Sequence, residues 1–570
     1  MLRKYAAQLL LPYCSNTLTC EELESMLEEP PRPEMGDWAL PCYPLAKEKR
    51  QSPAIIAAEL AEVLNYQTES TGVIAESIGG YVNLKFKPDK FSVMLLDQVL
   101  NMNKQSMTYG KGQRVIIDMS SPNIAKPFGI GHLRSTMIGN ALMNLYKEAG
   151  YDAISVNHLG DWGTQFGKLI TAYQHWGDDE ALHREPIVES LRLYVQFHEE
   201  VEQQPELETE AREWFRKLEQ GDEETNRLWQ YFVGVSMEEF NRVYARLGVS
   251  FDYVLGESFY NDKMQAVVNR LQELGLLEES EGAMVVRLDD EGLPPCLILK
   301  TDGTTIYPTR DLATAIYRKE VMQADKLLYV VGAEQQLHFK QVFAVLKKMG
   351  FDWATDCEHV PFGLMTLNGK KMSTRRGQVV YLDQVLDEAV QKSLDIMRSN
   401  ELQSEAKRDI AEAVGVGAIV FGDLVHNRML AADFNLDEAV RFEGETGAYL
   451  QYTYARAMRL LERAGSSVSV SQSSQQLRGD LLHEREAWNC MKLMDNYEET
   501  ILAAVRHHEP SILARLLLDV AKAFNRFYQQ KKIVDMQADE RAVKLHLVRA
   551  TAVILEQGLQ LLGMKAPRQI

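Results

Sequence analysis

Residues 114–158 read RVIIDMSSPNIAKPFGIGHLRSTMIGNALMNLYKEAGYDAISVNH and contain two strand patterns separated by a helix pattern. RVIIDM is a short apolar strand, and AISVNH is the second strand. Between them, HLRSTMIGNALMNLYKEAG repeats apolar residues on one face of a helix that ends at Gly150. A strand, a helix and a strand within about forty residues form one βαβ unit. This stretch therefore predicts a parallel sheet.

The loop inside this unit, SPNIAKPFGIGHLRST (121–136), has features of a phosphate-binding site. Gly129 and Gly131 allow the backbone to come close to a ligand. The helix that begins near His132 directs free N–H groups and a positive dipole towards that ligand, and Lys126 adds a full charge. A glycine pair before a helix is equally typical of a tight turn that packs a strand on a helix. On its own, the loop leaves both interpretations open.

A second motif, GKKMSTRRG (369–377), has four basic residues among nine and a glycine at each end. In isolation it reads as an exposed basic loop. The same composition suits a cationic loop that closes over a polyphosphate.

The length and composition exclude several classes of protein. A chain of 570 residues predicts three or four domains, and 45% hydrophobic with 25% charged residues is typical of a globular protein. No apolar run is long enough for a membrane helix, and the N-terminus lacks the pattern of a secretory leader, which predicts a cytoplasmic protein. The six cysteines form no C-x-x-C pair, so we expect reduced thiols and no structural metal.

The charge is unevenly distributed. A net charge of −19 argues against a polyanionic partner, because nucleic acids are bound through Lys and Arg. Residues 178–224 carry sixteen acidic against five basic residues and predict an exposed helical insertion with a solvated acidic face. Residues 448–570 carry seventeen basic against thirteen acidic residues. Binding of RNA would therefore be local and only modestly dependent on salt.

The two motifs, in this order and about 240 residues apart, resemble the HIGH and KMSKS signatures of class I aminoacyl-tRNA synthetases. The blocks SSPNIAKP, GHLRST, HLGDWGTQFGKLI, YPTRDLA and AYLQYTYARAMRLL are similar to those of arginyl-tRNA synthetases, and the resemblance covers nearly the full chain. It implies an α/β Rossmann-type catalytic domain with a parallel sheet, an α+β N-terminal domain, and an all-α C-terminal anticodon-binding domain.

The chain divides accordingly into four regions. Residues 1–110 would form the N-terminal domain that contacts tRNA, closed by a strand pattern around Val82, Leu84 and Phe86. Residues 111–380 would form the catalytic domain, with a helical insertion at about 178–290. Residues 381–447 would be a helical connecting region, and residues 448–570 the anticodon-binding domain.

The resemblance implies a two-step ligase reaction. L-Arginine and ATP, the latter with Mg²⁺, would give arginyl-adenylate and pyrophosphate, and the 2′-hydroxyl of the terminal adenosine of tRNA(Arg) would then take the arginyl group. The family usually needs tRNA for the first step, and its members are mostly monomers.

The resemblance also assigns residues to the nucleotide. His132 matches the second His of HIGH, and Lys371 matches the first Lys of KMSKS, whereas Gly129 and Thr374 replace residues of the two signatures. In the family, loss of the loop lysine accompanies a lysine upstream of HIGH, which matches Lys126. The catalytic residues are then Lys126, His132 and Lys371, with Arg376 as a helper. The ATP-binding residues are Gly129, Gly131, His132, Lys371, Met372, Ser373 and Arg375.

Recognition of arginine needs acceptors, because a guanidinium group offers five donors and no acceptor. The family's arginine-binding positions match Asn123, Tyr307, Asp311 and Gln335, with Asp311 as the partner of the guanidinium group. Without the resemblance, Asp311 reads as a residue in the first turn of a helix, stabilised by the helix dipole.

Weaker assignments concern four further residues. Trp162 would shape the floor of the site, and His338 would lie on the nucleotide side. Asn83 and Phe86 would contact tRNA through the family's pattern, although pairing within a sheet is the better explanation of each position alone.

Two other functions remain open at this point. Gly129 and Thr374 would suit a non-catalytic tRNA-binding or regulatory relative that has lost the chemistry. Another HIGH-type nucleotidyl transferase is a third candidate, but a small-molecule transferase does not need the long helical C-terminal region.

Overall fold

The computed structural model describes residues 1–14, 18–102, 107–126, 128–367, 381–397, 404–465, 477–529 and 533–570. The strands are β1 (Trp38–Pro41), β2 (Val73–Ile78), β3 (Tyr81–Phe86), β4 (Arg114–Asp118), β5 (Asp152–Asn157), β6 (Tyr253–Val254), β7 (Leu277–Ser280), β8 (Ala283–Val286), β9 (Cys296–Leu299), β10 (Lys326–Gly332), β11 (Cys357–Phe362), β12 (Met365–Leu367) and β13 (Ala432–Phe434). The helices are α1 (Leu2–Cys14), α2 (Cys20–Met26), α3 (Tyr43–Lys49), α4 (Pro53–Asn65), α5 (Thr68–Thr71), α6 (Pro88–Asn101), α7 (Gly131–Glu148), α8 (Thr164–Trp176), α9 (Asp179–Arg184), α10 (Pro186–Glu200), α11 (Glu206–Glu219), α12 (Glu223–Leu247), α13 (Met264–Glu273), α14 (Tyr307–Glu320), α15 (Gln336–Lys348), α16 (Leu382–Ile396), α17 (Ser404–Leu424), α18 (Leu436–Ala439), α19 (Gly447–Arg463), α20 (Arg485–Asp495), α21 (Tyr497–His507), α22 (Ser511–Gln529) and α23 (Ala538–Leu561).

The N-terminal part is an antiparallel sheet in the order β1-β3-β2, packed against helices α1–α6. A Gly-Gly turn joins β2 to β3, and Gly79 adopts the left-handed φ of +59° that such a turn requires. Val82, Leu84 and Phe86 of β3 point into the core, which confirms the predicted strand. Its alternation of inward residues is what a half-buried strand requires.

The central sheet contains five parallel strands in the order β11-β10-β4-β5-β6. Helix α7 connects β4 to β5, so the predicted βαβ unit is confirmed. Val115 and Ile117 of β4 enter one apolar cluster, while Ile116 enters the other, on the opposite face of the sheet. Burial on both faces is why these strands read as continuous apolar runs.

The strand order places a crevice at the carboxyl ends of β4 and β10. From β4 the chain continues to β5 on one side, whereas β10 pairs with β4 on the other side. Ligands of open α/β sheets bind where the strand order reverses in this way. The loop after β4 is the stretch that contains the first signature.

The helical insertion differs in extent from the range predicted. Helices α8–α12 follow one another from Thr164 to Leu247, whereas residues 253–299 contain strands β6–β9 together with helix α13. β6 joins the central sheet, and β7–β9 form a separate antiparallel sheet. The strong acidic composition starts at 178, so the first helix of the insertion, which is not acidic, was assigned to the preceding α/β part.

The C-terminal part is helical and rests on both ends of α7. Tyr146, in the last turn of α7, has its hydroxyl 3.1 Å from Nδ1 of His508, which follows α21. Arg134, in the first turn, forms a buried ion pair of 2.8 Å with Asp423 of α17. The connecting region 381–447 also contains β13, which pairs with β12, so it is not entirely helical.

Candidate active site

The segments that carry the predicted substrate-binding residues meet at the crevice. Asn123 and Lys126 lie on the loop that follows β4. Tyr307 is the first residue of α14, and Asp311 lies one turn further on the same helix. Gln335 ends the short turn between β10 and α15. The fold thus brings residues from three distant parts of the sequence to one edge of the sheet.

The loop after β4 has an unusual backbone. Ser120, Ser121 and Ala125 have φ angles of +72°, +50° and +60°, in the left-handed region that residues other than glycine rarely adopt. Hydrogen bonds hold all three: the Ser120 N–H donates to Ser135 Oγ (2.9 Å), Ser121 Oγ donates to Asp118 (2.9 Å), and the Ala125 N–H donates to Ser236 Oγ (3.0 Å). Such strain, of order 1–3 kcal/mol per residue, persists only where surrounding structure enforces it, and it is typical of functional sites.

Asn123 is fixed by the segment that follows β5. The Gly160 N–H donates to the Pro122 carbonyl and the Ile124 N–H to the Gly160 carbonyl, at 3.0 and 3.1 Å. A Cβ atom at Gly160 would lie 2.2 Å from Oδ1 of Asn123. Only glycine allows the two segments to approach this closely.

His132 is held by the signature itself. Its Nδ1 accepts a hydrogen bond from the Gly129 N–H at 3.2 Å, which assigns the proton of the neutral ring to Nε2. Burial lowers the pKa of His132 to about 4. The hydrogen bond with Gly129 acts against this shift, and the positive charge of Lys126 adds to it. The ring is thus neutral at physiological pH and can donate through Nε2. The Gly129 N–H was expected to face the ligand, but it is engaged with His132.

Asp311 faces His338, and this pair connects α14 to α15. The distance between Asp311 Oδ2 and His338 Nε2 is 2.5 Å. One carboxylate oxygen of Asp311 is therefore oriented by His338, and Oδ1 is left for another donor. Tyr307 is 59% exposed, so its ring is accessible from the crevice. Burial of the phenol and the charge of Glu257 raise the pKa of Tyr307, against the opposing effect of Arg310.

Glu257 is a site residue that the sequence did not indicate. Its Oε2 lies 3.4 Å from Nη1 of Arg310 and has no hydrogen-bond partner within the described ranges. Burial raises the pKa of Glu257 to about 7 against the attraction of Arg310, and the charges of Asp311 and Asp161 add smaller contributions in the same direction as burial. Its backbone N–H donates to the Leu159 carbonyl (2.9 Å), a long-range pairing with no sequence motif.

A buried ion pair lies behind this pocket. Asp118, at the end of β4, contacts Arg318 of α14 at 2.7 Å, and both side chains are at most 7% exposed. Burial acts to lower the pKa of Arg318, but the ion pair with Asp118 raises this pKa above its ordinary value. Because Ser121 also binds Asp118, the pair connects the signature loop to the helix that carries Tyr307 and Asp311.

The second signature lies outside the described residues. Lys371, Met372, Ser373, Thr374, Arg375 and Arg376 belong to it. What the structure describes are its flanks. On one side, the carbonyl of Gly363, just before β12, accepts a hydrogen bond from Arg134 at 2.7 Å. On the other side, Tyr381 forms an isolated antiparallel β-bridge with Gly129, and the Leu382 N–H donates to the Phe128 carbonyl at 3.0 Å. Both flanks thus adjoin the first signature.

The remaining predicted residues are buried to different degrees. Trp162 packs edge-to-face on Trp229 of α12, with ring centroids 5.6 Å apart, so it joins the insertion to the crevice. Asn83 is 2% exposed, and its Nδ2 has no partner within the described part of the chain. Phe86 is 1% exposed and packs on Phe91 at 5.0 Å. A direct contact of the Phe86 ring with tRNA is not supported, because this face of β3 forms the core.

Comparisons with known proteins agree with this architecture. Three family models match the chain: "Arginyl tRNA synthetase N terminal domain" at residues 6–86, "tRNA synthetases class I (R), catalytic domain" at 95–436, and "DALR anticodon binding domain" at 450–570. An arginine–tRNA ligase of Enterococcus faecalis is 46% identical over 570 residues, which cover 100% of both chains. One of Ligilactobacillus salivarius is 47% identical over 99% of both.

The solved structure of Thermus thermophilus arginyl-tRNA synthetase has a TM-score of 0.79 to this chain at 25% identity and covers 100% of it, with 99% of that chain matched. The fold and the matches along the whole length define a class I aminoacyl-tRNA synthetase. Within that class, the chain belongs to the arginyl-tRNA synthetase family. The predicted fold class and the predicted arginine–tRNA ligase are thereby confirmed, and the non-catalytic alternative gains no support from these relatives.

Two searches of the described residues complete the description. No helix among them is long and apolar enough to cross a membrane. In the same residues, no group of three or more His, Cys, Asp and Glu side chains is arranged to hold a metal ion.

Proposed function

We propose that arginine and ATP bind side by side in the crevice between β4 and β10. The observation that carries the proposal is the position of an acidic pocket next to the N-terminus of α7. Asp311 and Glu257 provide the negative charge, and the N-terminus of α7 provides the positive end of the helix dipole. The predicted free N–H groups are not all available, because those of His132 and Leu133 donate to the carbonyls of Gly129 and Ile130. The crevice therefore offers negative charge to a cation and positive charge to a phosphate, side by side.

The guanidinium group of arginine binds between two carboxylates. Asp311 offers Oδ1, because His338 holds Oδ2, and Glu257 offers Oε1, because Oε2 is buried against Arg310. A planar guanidinium group can donate to both at once, whereas a lysine ammonium cannot reproduce this fork and citrulline lacks the charge. Tyr307 closes the pocket from the first turn of α14, and Asn123 and Gln335 contact the polar groups of the amino acid.

The first step of the reaction takes place at the α-phosphate of ATP. A carboxylate oxygen of arginine attacks the phosphorus, a new C–O–P linkage forms, and the bond to the β-phosphate breaks, so that pyrophosphate leaves. Negative charge increases on the phosphate oxygens during this step. Lys126, neutral His132 donating through Nε2, and the positive dipole end of α7 stabilise that charge. Gly129 and Gly131 permit the close approach, and Lys371, Met372, Ser373 and Arg375 act from the second signature.

The second step transfers the arginyl group to tRNA. The 2′-hydroxyl of the terminal adenosine attacks the carbonyl carbon, and AMP leaves with the electrons of the anhydride bond. The helical part from residue 448, whose basic residues outnumber its acidic ones, binds the anticodon arm. The N-terminal part contacts the tRNA through the protein surface around the buried Asn83.

The wider context follows from the same assignment. Mg²⁺ accompanies ATP as part of the substrate. The protein acts as a monomer in the cytoplasm. We place the domain borders at 110, 380 and 447. The border at 447 falls between the matched ranges 95–436 and 450–570, whereas 110 and 380 both fall within the catalytic-domain match.

The test is arginine-dependent exchange of pyrophosphate into ATP, with and without tRNA(Arg). We expect exchange with arginine when tRNA is present. Lys126→Ala should lower kcat by at least about a hundredfold, the scale of losing a charge-stabilising donor. Exchange with lysine or citrulline but not arginine would contradict the pocket, and a wild-type rate for Lys126→Ala would contradict the role of that residue.

A further inference from the structure

The acidic insertion contributes a side chain to the active site. Tyr194 lies on α10, within the segment for which the sequence indicated only a solvated face. Its neighbours Leu193 and Phe197 are buried inside the insertion, whereas Tyr194 is only partly buried. The Nζ atom of Lys126 lies 5.2 Å from the centroid of the Tyr194 ring. At that distance an ammonium group is attracted by the face of an aromatic ring.

A second observation places Tyr194 near the arginine side of the site. Its phenol contributes to raising the pKa of Tyr307, after burial and the charge of Glu257. Tyr194 is thus close both to a residue assigned to the phosphates and to a residue assigned to arginine. These are the two partners whose reacting atoms meet in the first step.

The insertion is attached to the loop that carries Lys126. Ser236 of α12 accepts the hydrogen bond from the Ala125 N–H, directly before Lys126. The Tyr244 hydroxyl lies 2.8 Å from Oγ of Ser120, at the start of the same loop. Further along, Phe128 packs on Phe240, with ring centroids 5.6 Å apart. The position of α10 relative to Lys126 is therefore fixed through α12 and not by the contact with Tyr194 alone.

We propose that Tyr194 is a positioning residue that holds the Lys126 ammonium beside the phosphates. The inference rests on the role given to Lys126 above. Contact with the ring limits the positions that the flexible lysine side chain can take. An aromatic ring attracts the ammonium and leaves its charge intact.

The experiment compares Tyr194→Leu, Tyr194→Phe, Lys126→Ala and the double variant Tyr194→Leu/Lys126→Ala in pyrophosphate exchange with saturating tRNA. We expect Tyr194→Leu to lower kcat about five- to tenfold, with the KM for ATP nearly unchanged. Tyr194→Phe, which keeps the ring, should restore kcat to within about twofold. The double variant should be no slower than Lys126→Ala, because the ring acts through the lysine.

Tyr231→Leu is the matched control, since Tyr231 lies on α12 of the same insertion and packs on Phe232 and His183. It should leave kcat unchanged, and thermal unfolding of every variant reports loss of fold. A wild-type kcat for Tyr194→Leu, or a double variant several-fold slower than Lys126→Ala, would overturn the inference alone. A wild-type kcat for Lys126→Ala would overturn the assignment of Lys126 itself.

Discussion

Binding of arginine should weaken about tenfold when the pH falls from 8 to 6, because Glu257 must be ionised to accept the guanidinium group. Burial, together with Asp311 and Asp161, raises the pKa of Glu257 to about 7, against the attraction of Arg310. The ionised fraction of such a group is about 0.9 at pH 8 and about 0.1 at pH 6. The dissociation constant should change by the ratio of these fractions. The cation binds the ionised form, so affinity is high above the pKa and is lost below it.

Calorimetry of arginine binding provides the measurement, with titrations at several pH values and in two buffers that differ in heat of ionisation. At pH 7 each arginine bound should release about half a proton, because binding and proton release are linked. The titration of His132 lies outside this window, since burial lowers its pKa to about 4. The variant Glu257→Gln keeps the shape and removes the titration, so its weaker affinity should not depend on pH.

A dissociation constant that varies less than twofold between pH 6 and 8 in the wild type would refute the reasoning. The same conclusion would follow if Glu257→Gln retained the full pH dependence. In that case another group would carry the titration, and the charge of Glu257 would not contact the guanidinium group.

Three further predictions test the pocket, the packing of the loop and the N-terminal core. Asp311→Asn should raise the KM for arginine roughly ten- to a hundredfold in pyrophosphate exchange, since charge-assisted hydrogen bonds contribute about 1.5–3 kcal/mol; an unchanged KM would contradict the role of Asp311. Gly160→Ala, whose Cβ would lie 2.2 Å from Asn123, should lower the stability by about 1–3 kcal/mol in thermal unfolding and weaken arginine binding. A wild-type melting temperature would show that the loop after β4 and the segment after β5 separate freely. Phe86→Ala should lower the free energy of unfolding by about 3–5 kcal/mol in urea and leave the Kd for tRNA unchanged in the folded protein, whereas weaker tRNA binding without loss of stability would restore Phe86 as an RNA contact.

The parts of the fold that could be predicted are those encoded locally. The βαβ unit was visible because apolar runs, a helical repeat and Gly150 lie within one short stretch. Strand β3 was visible because apolar residues alternate at Val82, Leu84 and Phe86, although Asn83 between them is also buried. The first signature was readable because glycines before a helix allow a ligand to come close to the backbone.

The parts that could not be predicted depend on contacts between distant segments. Glu257 enters the pocket because its backbone pairs with Leu159, and nothing in the residues around it indicates that pairing. Tyr194 reaches Lys126 because α12 fixes the insertion on the signature loop. Strand β13 forms only because β12 lies beside it, so its residues read as part of a helical region. The family resemblance was also misleading at Phe86, because this aromatic residue of the N-terminal part belongs to the core.

Helix α7 has mechanical properties that follow from its position. It contains 18 residues and is therefore about 27 Å long, with His132 in its first turn and Tyr146 in its last. The C-terminal helices contact the last turn of α7 through His508, while the first turn of α7 lies at the nucleotide site. A rigid rod of this length acts as a lever: a tilt of about 2° at one end displaces the other by roughly 1 Å. Displacements of about 1 Å at reacting groups can change rates by about a hundredfold. Small movements of the C-terminal helices, transmitted along α7, should therefore change the geometry of the phosphate site.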